Sequence, residues 1–167
     1  MEFIKEYECL PEGIHLMTWK DAHEFFNFSK KREQLLAGME RMMEILKACG
    51  CDHLYLDGSF VTNELNPNDI DAFFSIAYGE NITNVYRRLV DKEPFLFPNP
   101  ENRKCLKQKY GCEVFWKYAA ADTDMNGNEI PYIEYFQQLK EYPDIKKGIV
   151  KIKLLSYDKK QEATYAK

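Results

Sequence analysis

Leu54-Tyr55-Leu56-Asp57-Gly58-Ser59, followed after nine residues by Asp69-Ile70-Asp71-Ala72-Phe73-Phe74, is the stretch that decides the fold. An apolar run enters a Gly-Ser turn. A polar loop ending in Asn66-Pro67-Asn68 follows, and a second apolar run opens on two carboxylates at i and i+2. The composition predicts strands over 53–57 and 69–76, since Gly, Asn and Pro punctuate runs rich in aromatic and branched residues. Strand side chains alternate between faces, so Asp69 and Asp71 are expected on one face. Two carboxylates held together repel unless a positive charge lies between them. A hard divalent cation, Mg²⁺ or Mn²⁺, takes oxygen ligands of this kind. The turn at Gly58 and Ser59 offers backbone N–H groups and a hydroxyl to an anion beside such an ion.

Working outward, Thr18-Trp19-Lys20-Asp21 fits a capping box for a short helix over 22–26. Leu35, Leu36, Met39, Met42, Met43 and Leu46 fall on one helical stripe, and Gly50 suits its C-terminal stop. This methionine-rich stripe reads as filler packed on the sheet. Ile82, Val85, Tyr86, Leu89 and Val90 give another amphipathic helix, and Asn99-Pro100 starts one over 101–109. Residues 112–118 read as a third strand, 131–142 as a further helix with Tyr132, Tyr135 and Phe136 on one side, and 148–155 as a last strand. The lysine-rich tail at 157–167 is expected to fray. The sum is an α+β chain: a small mixed sheet with helices mainly on one face. One domain spans 1–167, with a helical segment at about 18–50 and a motif-bearing core at about 51–155.

The 167 residues suffice for one such domain, which buries roughly 70% of its unfolded surface. A net charge of −4 provides no global basic field and argues against a general coater of duplex nucleic acid. Five cysteines, an odd count without scaffold density, together with a mixed N-terminus and no long apolar run, lead to the expectation of a reduced cytoplasmic protein. Cys49-x-Cys51 lacks the C-x2-C spacing and partner ligands of a zinc site.

Other candidate sites are weaker. Asp122-Thr123-Asp124-Met125-Asn126-Gly127-Asn128-Glu129 imitates the start of a calcium loop. However, Ile133 stands where the closing Glu is needed and Pro131 interrupts the loop, so a polar hairpin is expected. Arg87, Arg88, Arg103, Lys104, Lys107 and Lys109 form two basic clusters on helices. They read either as solvated faces or as a grip on phosphates. His15, His23 and His53 show no metal or nucleophile spacing. Glu113, a lone acid within Gly111-Cys112-Glu113-Val114-Phe115-Trp116, is either an edge-strand acid facing water or a partner of Asp69 and Asp71.

The G-S-x9-D-x-D pattern after a strand resembles the signature of the nucleotidyltransferase superfamily typified by DNA polymerase beta. Leu10-Pro11-Glu12-Gly13-Ile14-His15, the helix around Arg32, Leu35, Leu36 and Gly38, the motif at 56–62 and Lys147-Gly148-Ile149-Val150 are similar to a family of short, uncharacterised bacterial and phage-borne proteins placed in that superfamily. The resemblance implies a minimal nucleotidyltransferase-like fold in which Asp69, Asp71 and Glu113 are catalytic and hold Mg²⁺ or Mn²⁺, while Gly58 and Ser59 bind the nucleotide. The third carboxylate is commonly Asp in the superfamily, and here it is Glu. The implied activity moves an NMP from an NTP, such as ATP, to a hydroxyl of RNA (a tRNA, for instance) or of a partner protein, and the implied setting is a toxin–antitoxin or phage-defence pair. The alternative is a nucleotide- or partner-binding regulatory module that keeps the fold with reduced turnover.

Overall fold

The computed structural model describes residues 1–96, 99–139, 142 and 144–154. Its elements run β1 (Ile14–Met17), α1 (Trp19–Phe26), α2 (Lys30–Ala48), β2 (Cys51–Asp57), β3 (Ile70–Ile76), α3 (Ile82–Lys92), α4 (Pro100–Tyr110), β4 (Cys112–Trp116), β5 (Ala120–Thr123), β6 (Glu129–Pro131), α5 (Tyr132–Tyr135) and β7 (Ile149–Lys153). The five-stranded sheet has the order β1-β7-β2-β3-β4, and β5 and β6 form a separate hairpin. β2 pairs antiparallel with β3 and β7, whereas β4 lies parallel to β3 and β1 parallel to β7. The molecule is therefore mixed α+β with a mixed sheet.

Local chemistry sets the helix ends. The Thr18, Ser29, Asn81 and Asn99 side chains each accept a hydrogen bond from a backbone N–H of the first turn of α1, α2, α3 and α4. Pro100 opens α4, and Gly111 closes it in the left-handed conformation at φ 68°. The α2 stripe of Leu35, Leu36, Met39, Met42, Met43 and Leu46 is buried. It packs with Leu54, Leu56, Ala72, Phe74 and Val114 on one sheet face, beside residues of α1, α3 and α4. The opposite face carries a smaller cluster of Tyr55, Phe73, Phe115 and Ile149, covered by Tyr132, Ile133 and Phe136.

Three sequence expectations change. Asp69 lies one residue before β3, so only Asp71 is a strand residue. The helix expected over 131–142 is a single turn, α5. The Phe136 carbonyl, which would extend that helix, instead accepts from the Lys147 ammonium, and Gln138 forms an antiparallel bridge with Lys146. A strand not foreseen, β1, adds the N-terminal segment to β7. The tail at 157–167 lies outside the described residues, as does Leu155. The sequence from Asp122 to Glu129 is a hairpin as expected: Asp124 accepts from the Asn126 and Asn128 backbone N–H groups, and Gly127 turns the chain at φ 80°.

Candidate functional site

Register assembles the site. Asp57 is the last residue of β2 and sits opposite Asp71 on β3, which in turn sits beside Glu113 on β4. Directly paired residues share a face, so three carboxylates form a row across three strands. The row continues the face that carries Tyr55, Phe73 and Phe115, two residues further along each strand. Asp69 adds a fourth carboxylate from the loop entering β3.

Cations meet this row from two sides. The Lys107 ammonium bridges Asp69 Oδ2 at 2.6 Å and Glu113 Oε1 at 2.8 Å, and Arg103 Nε lies 3.3 Å from Glu113 Oε2. Arg103 and Lys107 are one helical turn apart on α4, which leads directly into β4 through Gly111. On the other side Lys147, almost fully buried, lies 3.0 Å from Asp57 Oδ1. Asp57 Oδ1 also accepts the Gly58 N–H at 2.8 Å, while its Oδ2 is buried without a hydrogen-bond partner among the described residues.

Asp71 is the member without an ion pair of its own among the described residues. Burial, then the charges of Asp69, Glu113 and Asp57, push its carboxyl up to about 7, against a weaker opposing pull from Lys147. Burial also raises Asp57 to about 6, countered by Lys147 and the Gly58 N–H. Burial would lower Lys107, but hydrogen bonds to Asp69 and Glu113 outweigh it and take the ammonium to about 12.

Gly58 is required twice over. Its φ is 72°, and a β-carbon there would stand 1.9 Å from Asp71 Oδ2. The glycine thus lets the Asp71 carboxylate lie against the turn. Ser59 follows in the same 3₁₀ turn, its carbonyl accepting from Thr62. Arg32 holds the rest of the loop. Wholly buried, it donates to the Phe60, Thr62 and Glu64 carbonyls at 2.8, 2.7 and 2.9 Å.

The structure therefore brings Asp69, Asp71, Glu113, Gly58 and Ser59 to one place. Glu113 does not face water: its side chain is 13% exposed. The donor set around Asp71 is all oxygen, as a hard divalent ion requires, and burial together with the neighbouring carboxylates disfavours the Asp71 charge while no cation is added. Lys107 already stands between Asp69 and Glu113. Among the described residues no three Asp, Glu, His or Cys side chains are gathered closely enough to hold a metal as they stand. The donors fit such an ion in chemistry, and gathering them requires Lys107 to move.

Sequence reasoning did not bring Lys147 and Asp57 into the site, and it left Arg103 and Lys107 open between a solvated helix face and a grip on phosphates. The i, i+4 spacing of Arg103 and Lys107 just before the Glu113 strand is the one local signal for the latter two. The five described cysteines are free thiols; Cys51 is pushed up to about 12 chiefly by burial. No helix among the described residues is long and apolar enough to cross a membrane.

Fold and site define a mixed α+β protein with a carboxylate row at one end of its sheet, flanked by a glycine turn and paired cations. The chain belongs to a family of unknown function, DUF6932, whose model matches residues 1–153. No curated protein and no solved structure matches it.

Proposed function

We propose that the protein is a metal-dependent nucleotidyltransferase with a minimal nucleotidyltransferase-like fold, moving an NMP from an NTP to a hydroxyl of RNA or of a partner protein. The observation that carries this reading is Asp71, held against the Gly58 turn amid three further carboxylates and, among the described residues, lacking a cation of its own. Asp69, Asp71 and Glu113 would hold Mg²⁺ or Mn²⁺, which when bound stabilises charge on phosphoryl oxygens and acidifies an acceptor hydroxyl. The chain's own groups do the positioning. The turn would meet a phosphate through Ser59, since the Gly58 N–H is already given to Asp57. Lys107 and Arg103, once released from Asp69 and Glu113, reach outward from α4 as phosphate contacts. Before metal binds, Asp71, raised to about 7, can hold a proton that the ion would displace.

A second reading rests on Lys107. Its two short contacts to Asp69 and Glu113 satisfy the charges that a metal would otherwise satisfy, which suits a nucleotide- or partner-binding module with reduced turnover. A thermal-shift panel of ATP, GTP, CTP and UTP with Mg²⁺, Mn²⁺ or EDTA separates the readings. Ligand at about a hundred times its dissociation constant adds about 2.7 kcal/mol, a rise of roughly 5–10 °C in Tm at this size. Metal-dependent stabilisation that disappears in Asp69→Ala/Asp71→Ala supports transfer chemistry. A nucleotide response indifferent to metal supports the module, and no response to any nucleotide refutes both nucleotide readings.

A further inference from the structure

The free edge of the sheet carries a second candidate site. β4 ends the strand order, and its ladder to β3 is fixed by two bonds: Ile70 N–H to the Gly111 carbonyl and Lys117 N–H to the Phe74 carbonyl. In a parallel ladder the N–H and C=O of one residue point to the same side, and the sides alternate along the strand. Residues 111, 113, 115 and 117 therefore address β3, while Val114 turns both its N–H and its C=O away from the sheet. Neither group has a hydrogen-bond partner among the described residues. Buried backbone groups are rarely left so, and Val114 is only 7% exposed.

A cavity of about 260 Å³ lies against this edge. It is bounded by Val114 and Trp116 from one face of β4 and by Phe115 from the other, so it embraces the strand's edge. Tyr86 on α3, Leu96, and Tyr132 beyond the hairpin close it. Pockets for drug-sized molecules span about 300–1,000 Å³. This one suits a single planar ring system held between aromatic walls.

We propose that the cavity binds a nucleobase, which presents a neighbouring acceptor and donor to the Val114 N–H and C=O. The extended backbone of one residue offers its N–H and C=O side by side, the complement of a base-pairing edge. Apolar walls supply the stacking that every base can use. Phe115 joins the two sites: its ring stacks on Tyr132 at a centroid separation of 4.4 Å and lies under the Arg103 guanidinium, which also contacts Glu113. A base at Val114 is thus one residue along the strand from the carboxylate row. Base binding stands on the walls of this cavity alone, and only its link to transfer rests on the proposed function.

Nucleosides test it without phosphate or metal. Adenosine, guanosine, cytidine and uridine are titrated by calorimetry and ligand-observed NMR in EDTA, with ribose as the base-free control. At least one nucleoside binds saturably and ribose does not. Methylation of the base-pairing edge of the best binder leaves the Val114 carbonyl unpaired and weakens binding about tenfold. Ala119→Leu and Val90→Phe, which add bulk at two lining positions, do the same, with Tm recorded to show that each variant folds. Absence of saturable binding by all four nucleosides overturns the assignment. So does binding that ignores both edge methylation and whichever filling variant folds. An extended apolar hexapeptide that binds where nucleosides do not reassigns the edge to strand addition and overturns it as well. Because no phosphate or metal is present, failure of nucleotidyl transfer leaves a positive result standing, and the converse holds too.

Discussion

Replacing Asp71 by Asn removes the one carboxylate of the row that has no ion pair among the described residues. The folded-state carboxyl lies at about 7 against an ordinary value of 3.8, a rise of about three pH units. Each unit corresponds to about 1.4 kcal/mol, giving a ceiling of about 4 kcal/mol, which relaxation of a partly solvated site reduces to about 2. The sign follows from proton counting. Between pH 3.8 and about 7 the folded protein keeps a proton that the unfolded chain has released. Stability from this group is therefore complete below the lower value and is lost as pH rises through the upper one. Asp71→Asn should match wild type near pH 4 and exceed it by about 2–4 kcal/mol at pH 8. That excess corresponds to roughly 5–15 °C in Tm, at 2–4 °C per kcal/mol for a chain of this size. The assay is calorimetric or fluorescence unfolding of both proteins from pH 4 to 9 in EDTA. A difference that stays constant across this range would refute the claim that Asp71 carries the unbalanced charge of the site.

Arg32→Met retains bulk but leaves the Phe60, Thr62 and Glu64 carbonyls without their donor; urea unfolding should show a loss of about 3–5 kcal/mol. Arg32→Lys should recover less than half of it, because one ammonium cannot reproduce the guanidinium fork. Lys107→Ala should lower Tm slightly in EDTA, since its side chain is 42% exposed and screened. The same variant should gain more from Mg²⁺ or Mn²⁺ than wild type does, because the metal no longer competes with the ammonium. An equal metal response in both proteins would show that Lys107 does not guard that position.

Some of this was legible in the sequence because it is written in local periods. The α2 stripe, the two strands flanking Gly58 and the lone acid of the Glu113 strand follow from alternation and helical spacing alone. Register is not local: nothing within residues 51–57 states that Asp57 will stand opposite Asp71. β1 escaped for a related reason. It has four residues, and Leu16 on it is 78% exposed, so no apolar alternation marks it as a strand. The helix expected after Pro131 has the right aromatic spacing. It stops because Lys147, eleven residues beyond Phe136, takes the carbonyl that the next turn needs. The basic residues of α4 were ambiguous in principle, since Arg103 and Lys107 at i, i+4 satisfy a solvated face and a carboxylate grip equally well until the strand after Gly111 is placed.

The charge balance of the row joins the fold to the chemistry. Among the described residues Asp57, Asp69, Asp71 and Glu113 face Lys147, Lys107 and Arg103, four carboxylates against three cations, and one negative charge is left over. The fold cannot spread that charge, because Gly58 admits Asp71 to a position any other residue would fill, and the β2–β3 register holds Asp57 opposite. A proton can meet it, since burial first and the neighbouring carboxylates second raise the Asp71 carboxyl to about 7, and so can an added cation. A proton and a divalent ion are then alternatives at one place, and they are distinguishable in a single experiment. Saturating Mg²⁺ should abolish the pH dependence of wild-type stability between about pH 5 and 7. It should also release protons on binding at pH 6, measurable as a buffer-dependent heat. A metal response without proton release would place the ion away from Asp71 and leave the row as a structural charge network.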